Sequence, residues 1–203
     1  MFVDQRSIYY WIYGHSSTAQ IPNLFDKFYA DIAPLRDKHG PILCLRRDRA
    51  SVNISSAFEL RLEQLGIRSE TSNAYAPWQN GDAEREIGTL PGTARTGMLS
   101  SGLLGRLWFS ALSYATVIHN ITYAVARNTS PHLLIYSEKP DITNHQQFGV
   151  EGWIYRREEK RNCNFDARGE PCIFVGYPSN QLRYLVLCPA RGPNAVVSSS
   201  VKN

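Results

Sequence analysis

At 203 residues, with 43% apolar and 20% charged side chains, the chain has an ordinary globular balance and room for one medium domain, or one with a small module attached. It has no apolar run long enough to span a bilayer, and its opening, MFVDQRSIYYW, lacks the basic start and small-residue cleavage site of a secretory signal. The net charge of +4 permits contact with nucleic acid without demanding it, and the four cysteines, Cys44, Cys163, Cys172 and Cys188, form no CxxC pair, so reduced thiols are expected rather than disulfides or a zinc site.

In chain order, Arg6 to Tyr13 is dense in Tyr, Trp and Ile and reads as a strand, with Asp4 just before it. Thr18 to Leu35 reads as one amphipathic helix: Ile21, Leu24, Phe25, Phe28 and Ile32 repeat at helical spacing, and Pro22 fits the first turn. Its aromatic residues are therefore expected in a core rather than on a stacking platform. His15 and His39 stand alone and read as loop residues.

The stretch from Leu45 to Glu86 carries the chemistry. Pro41 to Leu45 is a short apolar run expected as a buried strand, which sets Asp48 at or just past its carboxyl end, where open α/β sheets place ligands. Ser56 is a candidate cap for a helix with apolar positions Phe58, Leu62 and Leu65, and Gly66 is a natural stop. Ile67 to Thr71 returns as a strand, and Ser72 to Asp82, rich in Pro, Asn, Gly and Ser, reads as a loop. Asp82 would cap the next helix, with Glu84 in its first turn. Such an order can bring two distant carboxylates, Asp48 and Glu84, to one edge of a sheet. Paired carboxylates suit hard divalent cations, which take oxygen ligands and assist in-line phosphoryl displacement. The plainer alternative is that Asp48 caps a turn and Glu84 favours its helix N-terminus.

The helix after Glu84 contains Gly88, Pro91 and Gly92. An interior Pro costs about 3 kcal/mol and each Gly about 1, so this helix is expected to hold for two turns and then kink or break. Arg85 and Arg95 could face phosphates or be solvated. Leu107 to Tyr123 reads as a further helix with Trp108, Leu112, Ala115 and Ile118 on one face and Trp108 as a core anchor. Ser130-Pro131 is a cap followed by Pro at the first helical position, starting a short helix to Ser137. After Asp141 the texture changes to short β-type runs, Gly152 to Tyr155, Cys172 to Tyr177, Arg183 to Leu187 and Ala195 to Ser199, which read as a small barrel. The run Arg156, Arg157, Lys160 and Arg161 is interrupted by Glu158 and Glu159, and a solvated charged turn is the expected reading over a nucleic-acid contact.

The phrases Leu45-Arg46-Arg47-Asp48 and Tyr75-Ala76-Pro77-Trp78-Gln79-Asn80-Gly81-Asp82-Ala83-Glu84-Arg85 resemble those around the second and third acidic residues of retroviral and retrotransposon integrases, most closely the copia type. Val3 to Tyr13 is similar to the family's second strand, and Trp108 onward to a later helix. Phe148-Gly149 and Ile173-Phe174-Val175-Gly176-Tyr177 resemble the SH3-like module that follows the core in copia-type polyproteins.

The resemblance implies a ribonuclease H-like mixed sheet with flanking helices over residues 1–138, and an SH3-like β-barrel over 145–203. It implies that Asp48 and Glu84 hold Mg2+ or Mn2+ as members of an Asp-Asp-Glu triad, and that Arg47, Gln79, Asn80 and Arg85 contact nucleic acid. The triad's first Asp belongs to a strand that would precede Val3, so the core is expected to be N-terminally truncated and inactive alone; Asp4 is not expected to replace it. Arg49 and Ala50 stand where the family has Asn-Gly, and an Arg there can compete with the cation. In the intact family the function is DNA integration by 3′-end processing and strand transfer, with element ends and target DNA as partners. Further copies of the chain join the assembly, which acts in the nucleus, without a membrane or a small-molecule substrate. The alternative is a non-catalytic remnant that only binds nucleic acid or oligomerises.

Overall fold

A computed structural model describes residues 1–15, 17, 20–47, 56–71, 81–103, 105–155, 167–178, 183–189, 195–198 and 201–202; for Thr71, 81–87, Ala126, 195–198 and 201–202 it describes the backbone only. The chain divides into two compact units, Met1–Ile87 with Tyr123–Lys139, and Gly88–Thr122 with Pro140–Asn203.

The first unit opens with a hairpin. Strands β1 (Phe2–Val3) and β2 (Tyr10–Trp11) pair antiparallel, Phe2 opposite Trp11. The strand expected from Arg6 to Tyr13 is thus reduced to two residues. The reason is local: Asp4 Oδ2 accepts from the Ser7 amide at 2.7 Å and from Ser7 Oγ at 2.6 Å, and this side-chain turn competes with extended backbone. Ile8 follows at φ +56, an uncommon conformation for a β-branched residue, held by the hydrogen bond its N–H donates to Asp4 O and by burial of its side chain.

Two helices follow instead of one: α1 (Ile21–Asp31) and α2 (Ala33–His39), joined at Ile32. Pro34 is the cause. It has no N–H to donate, its ring clashes with a carbonyl one turn earlier, and it is at home only in a first turn. The apolar periodicity still does its work: Phe25, Phe28 and Ile32 are buried, with Phe58, Leu62 and Ile67 completing the core. Phe2 stacks on Phe28 with ring centroids 4.1 Å apart, and Phe25 meets Phe58 edge-on at 5.3 Å. The basic last turn of α2 reaches the end of α6 (Pro131–Tyr136): Lys38 Nζ donates to Tyr136 O, and His39 Nε2 lies 2.7 Å from Ile135 O. Carbonyls left open at a helix end are natural acceptors for such groups. Ser130 caps α6 as the sequence predicts, its Oγ accepting from the Leu133 amide at 3.3 Å, with Pro131 at the first position.

Strand β3 (Cys44–Arg47), helix α3 (Ser56–Gln64) and strand β4 (Arg68–Thr71) follow. β3 starts three residues later than expected; Leu43 is largely exposed, and the pairing begins at Cys44. The helix α4 (Gly81–Ser101) runs unbroken through Gly88, Pro91 and Gly92, against the expected break. Loss of the one amide at Pro91 is tolerated within a helix long enough to keep its other bonds, with Leu90 and Ala94 buried. Asp82 lies inside this helix rather than capping it.

In the second unit, α5 (Trp108–Ile121) buries Ala111, Ala115, Thr116 and Asn120. Trp108 is 59% exposed, so it is not the core anchor the sequence suggested: it shares the helical face of Ala111 and Ala115 but is the first residue of the helix. The C-terminal residues form a five-stranded antiparallel sheet in the order β8 (Ala195–Ser198), β7 (Tyr184–Leu187), β6 (Gly169–Gly176), β5 (Glu151–Tyr155), β9 (Val201–Lys202). Phe148 packs against Gly97 of α4 and the Tyr114 ring of α5. Gly149, at φ +83, brings its backbone so near Ser101 that an added Cβ would sit 2.1 Å from the serine Cβ. The Phe-Gly pair is therefore a packing device: a large ring and a residue without a side chain at one close approach.

Candidate functional site

β3, α3 and β4 form a β–α–β unit. The strands are parallel and in register, from Cys44 opposite Arg68 to Arg47 opposite Thr71. The helix returns the chain to the same end, and Phe58 and Leu62 bury its inner face. Arg47 and Thr71 thus end the two strands side by side. In the sequence Asp48 follows Arg47 directly, and Ser72 to Asn80 follows Thr71.

Asp48, Gln79 and Asn80 lie outside the described residues. Glu84 and Arg85 fall in the first turns of α4 by their backbone, as expected for Glu84; their side chains are outside the description, as is the run Arg156 to Arg161. Arg95, in the same helix, is exposed. Asp4 is committed to its turn with Ser7.

Arg47 is the site residue whose surroundings are visible. Its side chain is only 15% exposed, and its Nη2 donates to Glu59 of α3 and, at 2.7 Å, to Ser69 of β4. One guanidinium thereby ties both neighbours to the end of β3, a geometry that the planar fork of Arg suits better than the point charge of Lys. Sequence reasoning did not single out Glu59 or Ser69, because the contact joins three elements and has no sequence spacing of its own. One residue back, Arg46 faces outward and bonds Glu70, its register partner, at 3.2 Å. The hydrogen bond from Arg46 holds the Glu70 carboxyl below its ordinary range, with Cys44 and the charge of Arg68 adding to it.

Among the described residues no group of three or more His, Cys, Asp and Glu could hold a metal, and no helix is long and apolar enough to cross a membrane.

Residues 151–202 match the retroviral polymerase SH3-like domain family. The chain is 26% identical over 191 residues to the retrovirus-related Pol polyprotein from transposon TNT 1-94 of Nicotiana tabacum, covering 94% of this chain and 14% of that protein. It is 24% identical over 190 residues to the transposon Ty1-DR4 Gag-Pol polyprotein of Saccharomyces cerevisiae, covering 93% of this chain and 12% of that one. It spans only a small part of these relatives. Its fold is similar to that of a chain in the cryo-electron microscopy structure of the simian T-cell lymphotropic virus intasome in complex with PP2A regulatory subunit B56 gamma, with a TM-score of 0.52 and 19% identity over 96% of this chain and 67% of that one. The architecture is α/β and ribonuclease H-like in fold, followed by an SH3-like module. Nearly the whole chain is thus similar to a stretch within retrotransposon Pol and Gag-Pol polyproteins, and its C-terminal residues match the SH3-like domain family.

Proposed function

We propose that this chain serves DNA integration: metal-dependent trimming of element ends and their joining to target DNA, by a copia-type integrase core over residues 1–138 and an SH3-like module over 145–203. The single observation that supports this most is the parallel register of β3 and β4. Arg47 and Thr71 end side by side, so the chain enters Asp48 and the Ser72 to Asn80 segment from neighbouring strand ends. That is the edge at which open α/β sheets take their ligands.

In this reading Asp48 and Glu84 hold Mg2+ or Mn2+. Their donor set is carboxylate oxygen only, which fits a hard divalent cation and not a soft one. When bound, the ions supply polarisation of the phosphate and activation of the attacking oxygen. The chain's own residues do the positioning. Gln79, Asn80 and Arg85 orient the DNA strand near the two carboxylates. Arg47 presents one face to the DNA backbone while Glu59 and Ser69 fix the other, so its charge is placed without being free to wander. The assembly acts in the nucleus as several copies on DNA.

The test is a strand-transfer assay of the full chain on blunt and recessed DNA ends with magnesium or manganese, alongside Glu84→Gln and Asp48→Asn. Joining that requires the cation and is abolished by either substitution would assign the two carboxylates as ligands and overturn the expectation that the chain is inactive alone. Joining that survives both substitutions overturns the assignment of these carboxylates. DNA binding with no joining at any cation concentration favours the non-catalytic remnant instead.

A further inference from the structure

The antiparallel ladder between β6 and β7 sets Ile173 opposite Leu187 and Phe174 opposite Val186. One step further along the same register, Cys172 comes opposite Cys188. Opposed residues share one face of a sheet, and this is the core face: Cys172 is 3% exposed and Cys188 fully buried, both in one cluster with Ile154 and Val186. Neither cysteine is in a disulfide. The two thiols also interact electrostatically; burial, the charge of Cys188 and that of Glu170 together push the Cys172 thiol up to about 11. Directly opposed residues of an antiparallel pair have Cα atoms about 4.5 or 5.5 Å apart. A disulfide spans Cα separations of about 4.4–6.8 Å. Either pair type falls inside that Cα window.

We infer that Cys172 and Cys188 are a dithiol pair that closes to a cross-strand disulfide when a low-molecular-weight disulfide reaches it, stapling β6 to β7. One cysteine loses its proton and attacks a sulfur of oxidised glutathione; a protein–glutathione bond forms, the glutathione disulfide breaks, and one glutathione thiolate leaves. The second cysteine, deprotonated in turn, attacks the protein sulfur of that mixed disulfide and expels the second glutathione. Two protein thiols are oxidised, one glutathione disulfide is reduced to two thiols, and the two protons pass to the two leaving thiolates. Because both sulfurs are buried and the Cys172 thiol is hard to ionise, the first attack proceeds only through local openings of the barrel, so closure is slow in the native chain. The ring it closes encloses residues 173–187, and such a constraint acts mainly by narrowing the unfolded ensemble.

The test uses the native full chain in buffers of graded reduced-to-oxidised glutathione ratio. Samples are blocked with a thiol reagent, digested with trypsin without reduction and read by mass spectrometry. The expected product is peptide 169–183 joined to peptide 184–191, with two of the four thiols lost. The thermal midpoint of the oxidised chain should rise by about 5–10 °C over the reduced one. Cys172→Ser and Cys188→Ser should each abolish the link, and the serine that replaces one partner leaves the other as a mixed disulfide. Native-chain oxidation confined to Cys44 or Cys163, a linked peptide that forms only in denaturant, or a linked chain whose midpoint does not rise would each overturn the inference.

Discussion

Arg47, the last residue of β3, and Glu59, in the first turn of α3, are joined by an ion pair between a mostly buried guanidinium and a half-exposed carboxylate. Ser69 of β4 accepts from the same guanidinium nitrogen. Removing the guanidinium loses both links, whereas removing the carboxylate charge leaves the serine bond. Arg47→Met should therefore lower the unfolding free energy by about 1–2 kcal/mol, and Glu59→Gln by about 0.5 kcal/mol because its carboxylate remains accessible to water. Urea unfolding of the two variants measures the difference; equal losses would count against the shared-guanidinium geometry.

Gly149 should tolerate no side chain. Its φ of +83 disfavours any L-residue, and an added Cβ would meet the Ser101 Cβ at 2.1 Å. Gly149→Ala is expected to cost more than about 2 kcal/mol. Adding Ser101→Gly removes the clash but not the backbone strain, so the double variant should recover part of the loss. A thermodynamic cycle across the four proteins separates the two contributions.

Pro91 is exposed and lies in the middle of α4. Pro91→Ala supplies the missing amide, which can then donate to the carbonyl of Ile87 one turn earlier. The variant is expected to be more stable by about 1–3 kcal/mol. Thermal unfolding followed by circular dichroism at 222 nm reads this as a higher midpoint with no loss of helix signal.

The buried thiol of Cys172 links stability to alkaline pH. Its folded value, about 11, lies above the ordinary thiol value of 9.0. Between these two the unfolded chain has released the proton that the folded chain still holds, so the unfolded state binds fewer protons and stability falls as pH rises. Below pH 9 the contribution is fully present. Denaturation midpoints from pH 8 to pH 11 should therefore decline more steeply for the wild-type chain than for Cys172→Ala, once the constant loss caused by that substitution is subtracted.

Most of the local order was legible in the order of residues. Apolar spacing located Phe25, Phe28 and Ile32 in a core, the Phe58 and Leu62 pattern gave α3, and Ser130-Pro131 gave the start of α6. These signals are short-range, set by side-chain period and by which residue can satisfy a helix end. Where two local signals competed, sequence reading chose wrongly: Pro34 divided a helix that apolar period alone made continuous, and the Asp4–Ser7 turn displaced a strand that β-propensity favoured.

The remainder depended on long-range packing. Pro91 and its flanking glycines argue for a broken helix, but burial of Leu90 and Ala94 helps keep α4 whole. Trp108 has the composition of a core residue, yet its place at the start of α5 leaves it in solvent. The Arg47, Glu59 and Ser69 cluster and the facing pair Cys172 and Cys188 each join residues remote in sequence. No spacing rule encodes such contacts, because they arise only when strand register and helix packing fix which side chains meet.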